Sequence, residues 1–122
     1  ASAEQWGAVQ LQNRFRAYAK RPMQAADYAT WTAVRSVGEA AARTQSGDAK
    51  VLRDYIRSPE FELAAFKGRS LSYRAWNGEL RQPMLIAQPR ALVSLSPQEG
   101  FLHPSSDLDT LGFDAPEVKC KP

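Results

Sequence analysis

Cys120 stands between Lys119 and Lys121 and is the only cysteine of the chain. Flanking cations favour the thiolate, the nucleophilic form of the side chain. A thiol nucleophile also needs an orienting base, and His103 is the single imidazole present. No base lies near Cys120 in sequence, so an inert residue, or one that pairs with another chain, is the simpler expectation. One cysteine also excludes an internal disulfide framework.

The stretch FLHPSSDLD, residues 101–109, holds the other candidates. Ser105, His103 and Asp107 are the residue types of a hydrolytic triad. Neighbours on one loop rarely converge on one reacting atom, however, and no nucleophile elbow is present. His103, just before Pro104, is expected to bond backbone as a loop histidine. Asp107 and Asp109 have the spacing that opens a calcium loop, but the third ligand, the glycine and the closing glutamate are missing. Asp107 suits a turn with Ser105 and Ser106 equally well. No paired Cys or His spacing suits zinc, and the seven glycines are too dispersed for a phosphate loop. The expectation is a chain without catalysis, metal or cofactor, whose ligand-binding residues are not identified by motif.

Residues 4–20 read as an amphipathic helix, with Leu11, Phe15 and Tyr18 on one stripe and Trp6 and Val9 extending it. Pro22 ends it. A longer helix is expected over 23–44, with Trp31, Val34, Val37, Gly38 and Ala41 on its packed face and Trp31 and Val34 against Leu11 or Phe15. The aromatics Trp6, Phe15, Tyr18, Tyr28 and Trp31 fall at helical spacing. Core packing is the default for them, with a ligand cage the alternative. Gly47 suits a helix exit and Asp48 an N-cap. A short helix follows, with Val51, Leu52, Tyr55 and Ile56 on one side, and Pro59 stops it. EFELAAFKG, residues 60–68, is expected to add one helical turn.

Asn77-Gly78 signals a tight hairpin between LSYRAW and ELRQPMLIA. Ser70, Ser72 and Arg74 alternate with Leu71, Tyr73 and Ala75, as in a half-buried strand whose polar side faces water. Pro83 makes the return strand an edge or a bulge. Residues 91–95 are a further strand candidate. After Ser96 periodicity is lost, yet Phe101, Leu102, Leu108, Leu111 and Phe113 are too many large apolar groups for a disordered tail. A hairpin is marginal alone, so its sheet partners must lie upstream or in another copy of the chain.

With 43% hydrophobic and 24% charged residues, the composition is that of an ordinary folded domain. The net charge of +3 comes with scattered arginines, so nucleic-acid binding is not expected. No run approaches the ~20 apolar residues that span a bilayer. ASAEQWGAVQ carries neither a basic start nor an apolar run, so any signal peptide is expected to have been removed or to lie outside this segment.

Two stretches carry a resemblance to a family. DYATWTAVRSVGEAAARTQSGDAKVLRDYIRS, from Asp27, is similar to the closing helices of type I periplasmic solute-binding proteins, the group of the branched-chain amino acid binders. FELAAFKGRSLSYRAWNGELRQPMLIAQPRALV, from Phe61, resembles their hairpin and last strand, although Ala75 and Trp76 replace the usual Asp-x before Asn77-Gly78. LRQPMLIAQPRALVSLSPQEGFLHPSSDLDTLGFD, from Leu80, is similar to the subgroup associated with pyrroloquinoline-quinone (PQQ)-dependent alcohol oxidation, with SPQEGFLHP and LDTLG its most specific parts. The resemblance implies an α/β fold: the C-terminal third of two lobes joined by three crossovers, with the solute in the cleft between them. Residues 1–95 would be helices and hairpin of one lobe, crossing toward the other near 90–95, and residues 96–122 an extended tail wrapping the surface. The implied function is that of the substrate-binding component of an ABC importer. It would capture a small solute in the periplasm by lobe closure and deliver it to a permease. Ligand contacts would come mostly from upstream, so no binding residue carries over. A fragment with an open sheet edge is expected to form a homo-oligomer. The alternatives are a stand-alone interaction module using hairpin and tail, and a thiol enzyme using Cys120 and His103.

Overall fold

Ala25–Thr44, the longest helix, is built from the residues around its first turn. The Gln24 N–H donates to the Asp27 carboxylate at 2.9 Å, and the Gln24 side chain accepts from the Asp27 N–H. This closes a capping box. Arg21, just before the helix-stopping Pro22, donates twice to Asp27, at 2.6 and 2.8 Å. The computed structural model describes residues 6–119, so Cys120 lies outside the described residues. Within them the chain is a mixed α/β domain of helices α1 (Val9–Ala19), α2 (Ala25–Thr44) and α3 (Ala49–Ile56) and two small antiparallel sheets. No helix among the described residues is long and apolar enough to cross a membrane.

Helix α1 closes at Lys20, which adopts the left-handed conformation and donates its N–H to the Arg16 carbonyl. None of its residues is buried. Asp48 caps α3 through the N–H groups of Lys50 and Val51, both at 3.0 Å. Helices α2 and α3 pack on each other.

The packed face of α2 differs from the expected one. Thr32, Ser36 and Ala40 are buried, whereas Val34 is 68% and Val37 50% exposed. Trp31 is half-buried and meets Tyr28 and Phe66, each at a ring distance of 5.9 Å, rather than a closed contact with α1. The short side chains at i, i+4 spacing form the buried stripe of the helix, with Ala40 in the core beside Phe61 and Leu63. The Ser36 hydroxyl donates to Thr32 O of the same helix at 2.9 Å and meets the Tyr73 hydroxyl at 2.8 Å, whereas the buried Thr32 hydroxyl has no partner among the described residues.

The expected helical turn after Pro59 is an extended segment instead. Phe61, Leu63 and Ala65 are buried while Glu62, Ala64 and Phe66 are exposed, a period of two. Leu63 and Leu71 exchange backbone hydrogen bonds of 2.9 Å. Side chains of α2 supply further donors: the Tyr28 hydroxyl to Ala65 O at 2.5 Å and Arg35 Nε to Ala64 O at 3.2 Å. With Ala40 and Leu71, these three apolar residues form the core, ringed by Leu52, Tyr55, Ile56, Tyr73 and Leu80.

The hairpin is wider than a two-residue turn. Strand β1 (Ser72–Tyr73) pairs with β2 (Leu80–Arg81), and Arg74 N donates to Glu79 O while Gly78 N donates to Arg74 O. Asn77 Oδ1 accepts from Glu79 N at 2.9 Å, and Gly78 has φ +72, so Asn-Gly closes a longer loop. Pro83 divides the return strand. Beyond it β3 (Met84–Gln88) pairs with β4 (Ala91–Ser96), with a register shift between Ile86 and Ala87. Among the apolar side chains Leu71, Tyr73, Leu80, Met84 and Ile86 along the two hairpins, Leu71 is buried, Tyr73 and Leu80 are half-buried, and Met84 and Ile86 are exposed.

Arg74, expected on the wet side of its strand, is 2% exposed. It reaches the tail at the 3-10 turn Asp107–Thr110, whose Leu108 and Asp109 are buried. Arg74 Nε donates to Asp109 Oδ1 at 2.9 Å, Nη1 to Glu79 at 2.7 Å and Nη2 to Leu108 O at 3.0 Å and to Leu111 O. Arg81 Nε donates to the same Asp109 oxygen at 2.7 Å.

Two outcomes are expected. Arg74→Ala or Asp109→Ala leaves a buried charge without its partner and costs about 3–5 kcal/mol. Urea melts measure the loss, and hydrogen exchange is expected to speed up across residues 101–111 first. A second test uses acid. Asp27 is lowered from 3.8 to about 2, first by the Arg21 hydrogen bond and then by the Gln24 N–H. A depressed carboxylate contributes stability that is present above 3.8 and lost as the pH falls through about 2. Carboxyl NMR of Asp27 should follow that window together with fraying at Ala25–Tyr28, and Asp27→Asn should abolish the dependence.

Candidate functional site

The triad residue types are kept apart. The His103 Nδ1 accepts the backbone N–H groups of Ser105 and Ser106, at 3.1 and 3.4 Å. Its proton is therefore on Nε2, which donates to Asp114 at 3.0 Å. Asp114 is held below the usual carboxylate range, first by His103 and then by the Ala115 N–H. His103 thus staples the loop to a later carboxylate, and no serine hydroxyl reaches it. The loop-histidine expectation matches this geometry.

Asp107 and Asp109 diverge. Arg69 bonds Asp107 at 2.7 Å and lowers its pKa, while Asp109 turns inward to Arg74 and Arg81. Among the described residues, no group of three His, Cys, Asp or Glu side chains could hold a metal ion.

The aromatic residues do two things that helical spacing did not reveal. Trp6 and Tyr28 form a cage, but its occupant is the chain's own Lys67, with Nζ 4.9 and 5.0 Å from the two ring centres. Burial pushes the Lys67 ammonium below the ordinary lysine range. Phe15, Tyr18 and Trp31 instead line an open groove of about 730 Å3 between α1 and α2, together with Leu11, Met23 and Phe66. Trp31 also packs against the core cluster, as expected of it, whereas Phe15 and Tyr18 on α1 do not join that cluster.

The remaining apolar surface lies on the ribbon β3–β4 and on the tail. Met84, Ile86, Leu92 and Val93 of the ribbon are exposed, as are Phe101, Leu102 and Phe113 of the tail. Among the described residues, the arrangement offers exposed apolar surface on both the ribbon and the tail. Arg74 is the structurally decisive residue that strand alternation misplaced; its partner lies 35 residues away, beyond any local pattern. Neither a family model, nor a curated protein, nor a solved structure matches this chain.

Proposed function

We propose that the chain is the hairpin-bearing C-terminal part of a two-lobed, type I periplasmic-binding fold and acts without chemistry. In this reading it belongs to the substrate-binding component of an ABC importer, one associated with PQQ-dependent alcohol oxidation. The whole protein would capture a small solute in the periplasm by lobe closure and hand it to the permease.

One observation supports this most. The two hairpins do not merge into a sheet, and the ribbon β3–β4 is largely exposed. Val34 and Val37 on α2 also face outward. A two-stranded ribbon is marginal in water, and apolar groups of this kind mark a surface that another element covers. The larger sheet of a binding lobe would supply that cover.

Calorimetry tests the reading. The 122-residue chain alone is expected to bind no amino acid or small organic acid tighter than about 100 μM, and the complete two-lobed polypeptide that carries it to bind one at about micromolar Kd. Micromolar binding by the chain alone overturns the proposal, as does the absence of any solute for the complete polypeptide.

The same exposed ribbon favours a second reading, a stand-alone interaction module working through hairpin and tail. Under either reading the isolated chain is expected to self-associate through β3–β4. Light scattering should give a dimer, and Ile86→Glu should return it to monomer. A wild-type monomer at high concentration would refute self-association.

A further inference from the structure

The end of α3, the β1–β2 hairpin and the loop at Ser105–Ser106 surround a cleft of about 290 Å3. Its walls carry two guanidinium groups, Arg57 and Arg81, and four hydroxyls, Ser58, Ser72, Ser105 and Ser106. Among the described residues no carboxylate lines it.

Many of these donors are unspent. Arg57 donates from Nη2 to Ala75 O at 2.6 Å, and no carboxylate among the described residues pairs with it. Arg81 uses Nε on Asp109 and Nη1 on Ser72 Oγ and Tyr73 O, which leaves Nη2. Asp109, behind Arg81, shares its charge with Arg74, whose other carboxylate is Glu79. Arg74 and Arg81 are therefore balanced by Asp109 and Glu79, and Arg57 is the surplus charge beside the cleft. Ser72 and Ser106 each accept a hydrogen bond and keep their own proton. Only Ser58 spends its hydroxyl proton, on Tyr55 O. The C-terminal end of α3 brings a negative partial charge, but it amounts to roughly half an elementary charge, against the one full surplus charge of Arg57.

We propose that this cleft binds a phosphate group, free or as the monoester of a small alcohol. Arginine forks and hydroxyls are the donors that phosphate oxygens take. The donors outnumber the two oxygens of a carboxylate and suit a tetrahedral anion. At about 290 Å3 the cleft is larger than a phosphate group and leaves room for a short ester chain. The proposal rests on the cleft alone and is independent of the two-lobed reading.

Amide NMR of the full chain, titrated with sodium phosphate and with glycerol phosphate against sodium chloride at matched ionic strength, tests it. Saturable shifts are expected at Arg57, Ser58, Ser72, Ser105 and Ser106, with a Kd on the order of 1 mM for phosphate. The ester should bind tighter if the extra volume is used, and equal affinity assigns the site to free phosphate. Arg57→Gln is expected to weaken binding about ten-fold. Ser105→Ala, which removes a hydroxyl that bonds no other group among the described residues, should weaken it about three-fold. Arg14→Gln on α1 should leave binding unchanged. Should Arg57→Gln fail to fold, Arg57→Lys and Ser105→Ala decide. Non-saturating shifts, equal shifts with chloride, or wild-type affinity in the folded Arg57 and Ser105 variants would overturn the proposal.

Discussion

A guanidinium shut away from water must find a counter-charge and acceptors for its N–H groups, or the fold does not hold it. Arg74 meets that demand with one residue from the hairpin loop and three from the tail. The demand fixes several things together. Glu79 must face Arg74 across the loop, which holds Asn77 and Gly78 in the wide turn. Leu108 and Leu111 must present carbonyls, which shapes the 3-10 turn between them. Gly112 follows at φ +77, and a Cβ there would stand 3.2 Å from Arg74 Nη1. The tail therefore has one route past the hairpin, set by a single side chain.

The second constraint is the short-side-chain face of α2. By burying Thr32, Ser36 and Ala40, the helix comes close enough for Tyr28 and Arg35 to cap the carbonyls of Ala65 and Ala64. Donors from helix side chains thereby stand where a neighbouring strand would otherwise be. The consequence is that Val34 and Val37 are turned outward. The same geometry that makes a small core around Phe61 and Leu63 creates the apolar exterior on which the proposed function rests.

Elements with local punctuation were legible in the sequence. Asp48 caps α3 as expected, Pro22 and Pro59 each lie three residues past the end of a helix, and the strand expected at 91–95 is observed as Ala91–Ser96. What local pattern could not supply was competition between patterns. In Phe61-Glu62-Leu63-Ala64-Ala65-Phe66, alternation and a helical turn were both available, and burial of three residues on one side selected the former. On α2 the larger residues suggested the wrong face: the buried stripe is Thr32, Ser36 and Ala40, and Val34 and Val37 are exposed. Arg74 read as a solvent-facing strand residue because its partner lies in the tail. His103 was legible as a loop residue; its Asp114 partner was not.

These constraints are also linked thermodynamically. Ser105 and Ser106 stand beside Arg57 and Arg81 because Asp109, three residues on from Ser106, is drawn under the hairpin by Arg74 and Arg81. Arg81 thus belongs both to the latch that docks the tail and to the wall of the cleft. Any anion that binds the docked arrangement better than the undocked one must stabilise docking by the same free energy. Conversely, a tail released from Arg74 takes two hydroxyls away from the cleft while leaving Arg57 and Ser72 in place. The buried ion cluster would therefore set the affinity of the proposed site in two ways, through the position of one 3-10 turn and through Arg81, the member it shares with the cleft wall.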